Sequence, residues 1–428
     1  MPKIRWLMII MCFFALVISY IDRANLAVAA PYISDEFHID PIWMGFIMSG
    51  FFWTYAVMQL PCGWFADKVG PRKSFTIAVG WWSVFTAFTA LAKGPFSLMG
   101  CRLLLGIGEA GANPSSVKVI SAWFSVKERG FAASIFDSGV RIGPVVTLPI
   151  VSWLILTFGW RISFVVTGLL GFIWIVFWLK FYHEPEEHPK VTPEELKYLQ
   201  KERNTPTTSK NSLNQSTQKL PWISLFKYRT IWAMMIGFFC LNFAFYFFVT
   251  WFPSYLVQAK GFSLTQLGTI GMLPILLASP GSWVGGLTSD WLYRRGWGLT
   301  KARKTCLVSA MLASSVITLS AFTDNIYLTL IFFSISYASL GFAGANIWSL
   351  PSDVAPSPSH VASIAGIQNF ASNLAGILVS TVTGVMLSIS GGSFVGPLVL
   401  AGVLCLIGSA SYLFLLGKIE PLPMPQSK

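Results

Sequence analysis

Charge is the scarcest property of this chain. Asp, Glu, Lys and Arg make up 11% of its 428 residues, where a soluble domain carries roughly 25%. So little charge excludes an ordinary water-soluble globule. Histidine is rarer still: His38, His183, His188 and His360 fall in loops and form no ligand cluster, so no metal is expected. Cys12, Cys62, Cys101, Cys240, Cys306 and Cys405 are scattered, mostly within apolar blocks, with no CxxC and no adjacent His. That pattern argues against a zinc site or a disulfide framework and leaves them as small packing residues. The sequence also lacks a nucleophile triad, a metal cluster and a phosphate loop, so neither an enzyme nor a cofactor is expected.

What is present is apolar. Hydrophobic residues make up 54% of the chain and the mean hydropathy is +0.62. Blocks of about 20 apolar residues recur, long enough to cross a ~30 Å hydrocarbon core as helices. The reading is an all-α membrane protein with spans near 4–33, 43–64, 74–93, 96–123, 130–157 and up to 181, then 230–257, 263–290, 305–322, 325–350, 359–386 and 392–416. The net charge of +12 does not point to nucleic acid, because Lys and Arg gather in alternate loops, the positive-inside pattern. On that pattern both termini are cytoplasmic. Asp22-Arg23 interrupts the first block ahead of Ala27-Val28-Ala29, so this block reads as a retained span rather than a cleaved leader.

Residues 182–229 form a polar cytoplasmic loop, in which Thr192-Pro193-Glu194-Glu195 opens a short amphipathic helix through about Arg203. The loop divides the chain into a bundle over 1–181 and a second over 230–417, with a tail over 418–428. An internal repeat supports the division. Gly63-xxx-Asp67, followed by Lys68, Gly70, Arg72 and Lys73, leaves the second span; Gly286-xxx-Asp290, followed by Arg294, Arg295, Arg303 and Lys304, leaves the eighth.

Asp22 and Arg23 lie inside the first span and Arg102 and Glu109 inside the fourth, where insertion costs roughly 2.5–3.5 kcal/mol apiece. Arg102, Gly106, Glu109 and Asn113 share one helical face, with Arg102 and Glu109 too far apart to pair with each other. Each is expected to meet a charge on another helix, the first-span pair being the candidate. Packing alone is the competing reading. Gly106-Ile107-Gly108-Glu109-Ala110-Gly111 matches G-x-G-x-x-G, yet no strand precedes it, so these glycines are assigned to close helix contact and not to a dinucleotide. Asp137 and Arg141, one turn apart, either pair locally or leave Arg141 as a second anion contact. Tyr55 and Gln59 share a face of the second span; Asn346-Ile347-Trp348-Ser349 and Gln368-Asn369 are polar points in the tenth and eleventh.

The run at 63–73 resembles the loop signature of the major facilitator superfamily. Tyr20-Ile21-Asp22-Arg23-Ala24-Asn25 resembles the first helix of the anion:cation symporter family within it. Arg102-x6-Glu109, Trp251-Phe252-Pro253-x-Tyr255-Leu256, Trp348-Ser349-Leu350 and Asn369 match further family positions. The pattern is similar to bacterial transporters of galactonate, glucarate and hexuronates. The resemblance implies the major facilitator fold, with 12 transmembrane helices in two six-helix bundles. It implies proton-coupled uptake of a small organic anion through the inner membrane, and a monomer is expected. Asp22 and Glu109 would be the proton-coupling carboxylates. Arg23 and Arg102 would hold the anion or pair with those acids. Tyr20, Tyr55, Trp348, Ser349 and Asn369 would contact substrate, and the 63–73 run with Asp290 and Arg294 would gate. Val140-Arg141 stands where galactonate-like members carry Gln, which suits a second carboxylate or a sulfonate. A drug or metabolite antiporter is the alternative, resting on the short Gly139, Gly143-Pro144 run.

Overall fold

In a chain solvated by lipid, backbone N–H and C=O groups must be satisfied within the chain, and helices do this segment by segment. The computed structural model describes residues 4–124, 128–191, 222–356 and 360–423, and among these the regular elements are all helices. Among the described residues, eleven helical segments are long and apolar enough to span a bilayer. The amphipathic helix expected after Thr192 lies outside the described residues.

Two compact units are present. Unit 1 comprises residues 1–33 and 50–218, and unit 2 comprises 34–49 and 219–428. The first unit takes α1 (Ile4–Phe37) as far as residue 33 and α2 (Pro41–Val69) from residue 50, together with α3 (Pro71–Phe88), α4 (Pro95–Glu109), α5 (Ala112–Trp123), α6 (Arg129–Phe158) and α7 (Trp160–Phe181). Proline begins α2, α3 and α4, where its missing N–H would have had no partner. The expected loop between the second and third spans shrinks to Gly70, which holds φ at 79° ahead of Pro71. Gly159, at φ 82°, plays the same part between α6 and α7. Both positions need the left-handed freedom of glycine.

The fourth span differs from a single helix. It is two helices, α4 and α5, with the break at Ala110-Gly111 directly after Glu109. Neither piece reaches spanning length alone, which is why eleven spanning segments are found where twelve spans are expected. Gly106, Gly108 and Gly111 have one structural task in common, close packing. A Cβ at Gly106 would strike Thr54 and the Phe51 carbonyl, at Gly108 Trp81 and Trp82, and at Gly111 Ala78.

Unit 2 repeats the logic. Gly285 of the helix Ala278–Arg294 lies against the Phe342 backbone of the helix Ile326–Ile347, and Gly341 returns the contact against Ala278. Arg303 pairs with Asp353 at 3.3 Å and donates to Ser289 and Asn346. Asn346 donates to the Gly285 carbonyl, so it serves packing.

Beyond α7 the chain folds back on unit 1. Tyr182 stacks on Trp178 with centroids 4.1 Å apart, and the His188 ring meets Trp123 and His183 edge-on at 5.6 and 5.5 Å. The Lys190 N–H donates to Nδ1 of His188. Burial and the neighbouring His183 lower the pKa of His188 from 6.5. A lowered histidine pKa means that the docked form favours neutral imidazole, which contributes stability above the unfolded value that is lost as pH falls toward the folded one. A proton at Nδ1 also removes the acceptor for Lys190. Acidification below about pH 6.5 should loosen residues 182–191. Hydrogen exchange of these amides, corrected for the intrinsic rate, should accelerate there, and His188→Gln should remove the pH dependence.

Candidate functional site

The side chains of α1 divide at 100° per residue. Ser19 and Arg23, one turn apart, face α4. Arg23 Nε lies 2.5 Å from Oε2 of Glu109, and the Ser19 hydroxyl donates to the same oxygen at 2.6 Å. The Glu109 side chain is fully buried and Arg23 is 9% exposed. Around the guanidinium stand three rings, with centroids 4.7 Å (Tyr20), 4.4 Å (Phe51) and 4.8 Å (Tyr55) from its central carbon. Each such contact contributes about 0.5–2 kcal/mol, more as water is excluded. Asn113 donates to the Tyr55 hydroxyl at 3.1 Å, so the face shared by Glu109 and Asn113 survives the helix break between them.

Glycine makes this geometry possible. Gly106 brings α4 onto the Phe51–Thr54 turn of α2, and Thr54 seals the contact by donating to the Leu103 carbonyl at 2.7 Å. Gly143 of α6 is overlain by Tyr20, which sets that ring beside Arg23.

Asp22 takes the other face of α1. It is 1% exposed, and neither carboxyl oxygen has a hydrogen-bond partner. Arg102 is 4% exposed, with Nε and Nη2 likewise unpartnered, as is Oε1 of Glu109. Arg102 and Glu109 act on Asp22 through charge, not contact. The four ionisable groups therefore form one bonded pair, Arg23–Glu109, flanked by two buried groups held apart.

Arg141 donates to Asp137 at 3.1 Å, the local pair one turn apart. In unit 2, Trp348 is 49% exposed and edge-on to Phe238 at 5.4 Å, and Ser349 donates to its own helix at Ala345. Gln368, next to Asn369, donates to the Ile347 carbonyl at 3.3 Å and so ties these two segments together. Asp67 pairs with Lys118 at 2.9 Å, rather than with an Arg or a helix N-terminus. Lys68 lies over Trp64, Arg72 donates to the Leu179 carbonyl, and Lys73, Asp290 and Arg294 are exposed. A Cβ at Gly63 would meet nothing within 4 Å, so close helix approach is not its role in this conformation. Ser19 and Phe51 were not singled out from sequence. Each lies four residues before a chosen residue, Arg23 and Tyr55, and that spacing is the signal that marks them.

Long apolar helices that pair Arg23 and Glu109 in their interior are the features of a multi-pass membrane protein with an internal polar site. The profile described as Major Facilitator Superfamily matches residues 12–380. The chain is 34% identical over 430 residues to "Probable galactarate/D-glucarate transporter GarP" of Escherichia coli (strain K12), covering 98% of this chain and 96% of that one. It is 35% identical to "Probable galactarate/D-glucarate transporter GudP" of Bacillus subtilis (98% and 93% covered). It is 33% identical to "Probable sulfoacetate transporter SauU" of Cupriavidus necator (93% and 90% covered). A solved bacterial homologue of the human lysosomal transporter Spinster, inward-facing and unoccupied, superposes with a TM-score of 0.78 at 18% identity, covering 97% and 98% of the two chains. The protein belongs to the Major Facilitator Superfamily, in the group that contains these sugar-acid transporters.

Truncating one member of a buried ion pair leaves the other charge uncompensated and costs about 3–5 kcal/mol, whereas removing both costs less. Glu109→Gln should therefore lower the thermal unfolding midpoint in detergent more than the double variant Arg23→Met/Glu109→Met. Equal losses would mean that the pair is not energetically coupled.

Proposed function

We propose that the protein is a proton-coupled symporter for uptake of a small organic anion, a sugar acid of the aldonate, aldarate or hexuronate class. The observation that carries this reading is the buried Arg23–Glu109 bond inside a ring of aromatic side chains. A guanidinium already desolvated and held by a carboxylate is prepared to exchange that carboxylate for another, and its fork suits bidentate recognition. Protonation of Glu109 weakens its hold on Arg23, which then accepts the substrate carboxylate. Asp22, buried beside Arg102, is the second proton-coupling acid. Proton and anion occupancy are thereby linked in both directions. Tyr20, Tyr55, Trp348, Ser349 and Asn369 contact the substrate, and Arg102 balances the two acids. Gly63 to Lys73, with Asp290 and Arg294, gate alternating access by the two six-helix bundles. The chain works as a monomer in the inner membrane with both termini cytoplasmic.

The similarity to a sulfoacetate transporter supports a second substrate class, a sulfonated dianion. Arg141 then leaves Asp137 to meet the second anionic group.

In proteoliposomes with an inward proton gradient, Asp22→Asn and Glu109→Gln should each abolish uphill accumulation; full accumulation by both variants would overturn the mechanism. A thermal-shift panel of D-glucarate, D-galactonate, D-glucuronate and sulfoacetate should identify the anion class. Arg141→Gln should weaken dianions by about tenfold more than monoanions, a difference of about 1.4 kcal/mol.

A further inference from the structure

Asp22 lies in a seam among α1, α3 and α7 that the ion pair does not use. The seam is tight because Gly168 and Gly171 of α7 let Ser83 and Ala87 of α3 come into contact with the α7 backbone. Two threonines sit in it. Thr86 on α3 is 2% exposed and its hydroxyl has no hydrogen-bond partner. Thr167 on α7 is fully buried. Its hydroxyl accepts from Nδ2 of Asn25 at 3.0 Å, one turn along α1 from Asp22. Its own proton goes to the Phe164 carbonyl at 3.4 Å, at the long limit of a hydrogen bond. Ser163 closes the chain by approaching Oδ1 of Asn25 at 3.0 Å. Both hydroxyls neighbour the Asp22 carboxyl, whose two oxygens are unbonded. From α4 the charges that face Asp22 are Arg102 and Glu109, while the adjacent Arg23 is turned onto Glu109.

A buried carboxyl that exchanges a proton must be satisfied in both states. The ionised form needs donors and the protonated form needs an acceptor. A hydroxyl supplies either by rotating about one bond. An amide or a guanidinium on a fixed backbone supplies only donors at a given atom. We propose that Thr86 and Thr167 are positioning residues for the proton on Asp22. Their hydroxyls turn to donate to the carboxylate when it is ionised and to accept from it when it is protonated. The proposal rests on the reading of Asp22 as a proton carrier. The Asn25–Thr167 bond holds the second hydroxyl within reach, and the weak Phe164 contact is the rest position that its proton leaves. No side chain need change place, which suits a seam with so little free space.

The test does not need the substrate. The protonated Asp22 carbonyl stretch, identified as the infrared band lost in Asp22→Asn, is titrated with pH in the purified protein. A hydrogen bond to a charged group outweighs one to a neutral group, so removing a hydroxyl penalises the ionised form more. Thr86→Val and Thr167→Val should each move the band's midpoint upward by about 1 pH unit. Thr86→Ser and Thr167→Ser, which keep the hydroxyl, should stay near the parent value. Midpoints unchanged in both valine variants overturn the proposal, as does an Asp22 band that does not titrate. Valine variants that lose thermal stability with unshifted midpoints assign the threonines to packing alone. Proton-driven uptake by Asp22→Asn would refute the coupling reading separately, whatever the valine variants do.

Discussion

The bond from Arg23 to Glu109 is the constraint on which unit 1 depends. It places a full positive and a full negative charge in a region where neither is tolerated alone. Isolated, each would carry a desolvation penalty of several kcal/mol. Together they are neutral in sum, yet still need donors, acceptors and polarisable surroundings. The fold supplies these from three helices: Ser19 and Tyr20 on α1, Phe51 and Tyr55 on α2, and Glu109 at the end of α4. The aromatic faces are well matched to the task. They stabilise the cation without competing for the hydrogen bonds that a carboxylate ligand would take.

This demand explains the glycines. The pair bridges α1 and α4 while the rings around its cation come from α1 and α2, so α2 must lie close to α4 and α6 must clear Tyr20. Gly106 removes the obstruction between α4 and α2, and Gly143 the one between α6 and α1. In lipid, where tails are as apolar as leucine, close packing and hydrogen bonds carry helix association. The same residues thus hold the bundle together and set the geometry of its charges.

Much of this was legible in the chain. The spans follow from apolar length, the charged residues stand out by cost, and the distance between Arg102 and Glu109 forbids their pairing with each other. The G-x-G-x-x-G run was readable as packing because no strand leads into it. Other features were not legible, for physical reasons. Periodicity continues across Ala110-Gly111, so nothing marks the helix break. Phe51 and Ser19 are ordinary residues for a membrane helix and acquire meaning only beside Arg23. Gly63 belongs to a recognisable motif, but whether a glycine is crowded depends on the neighbouring helix, and here that space is open. The partner of Asp67 proved to be Lys118, a choice set by which cation α5 presents.

The separation of the two acids has a consequence for coupling. Glu109 is bonded to a cation and to Ser19, so its ionised state is supported by direct contacts that substrate binding would disturb. Asp22 has no such contacts, and Arg102 reaches it only through charge. Two carboxyls of one cluster therefore differ in what their protonation would release. A proton on Glu109 frees a guanidinium, whereas a proton on Asp22 changes the field felt by Arg102 and Glu109. Coupling that uses both would pass from Asp22 to Glu109 by electrostatics and from Glu109 to the anion by contact. Under the proposed reading this order would follow from the arrangement, since of the two acids Glu109 is the one bonded to Arg23.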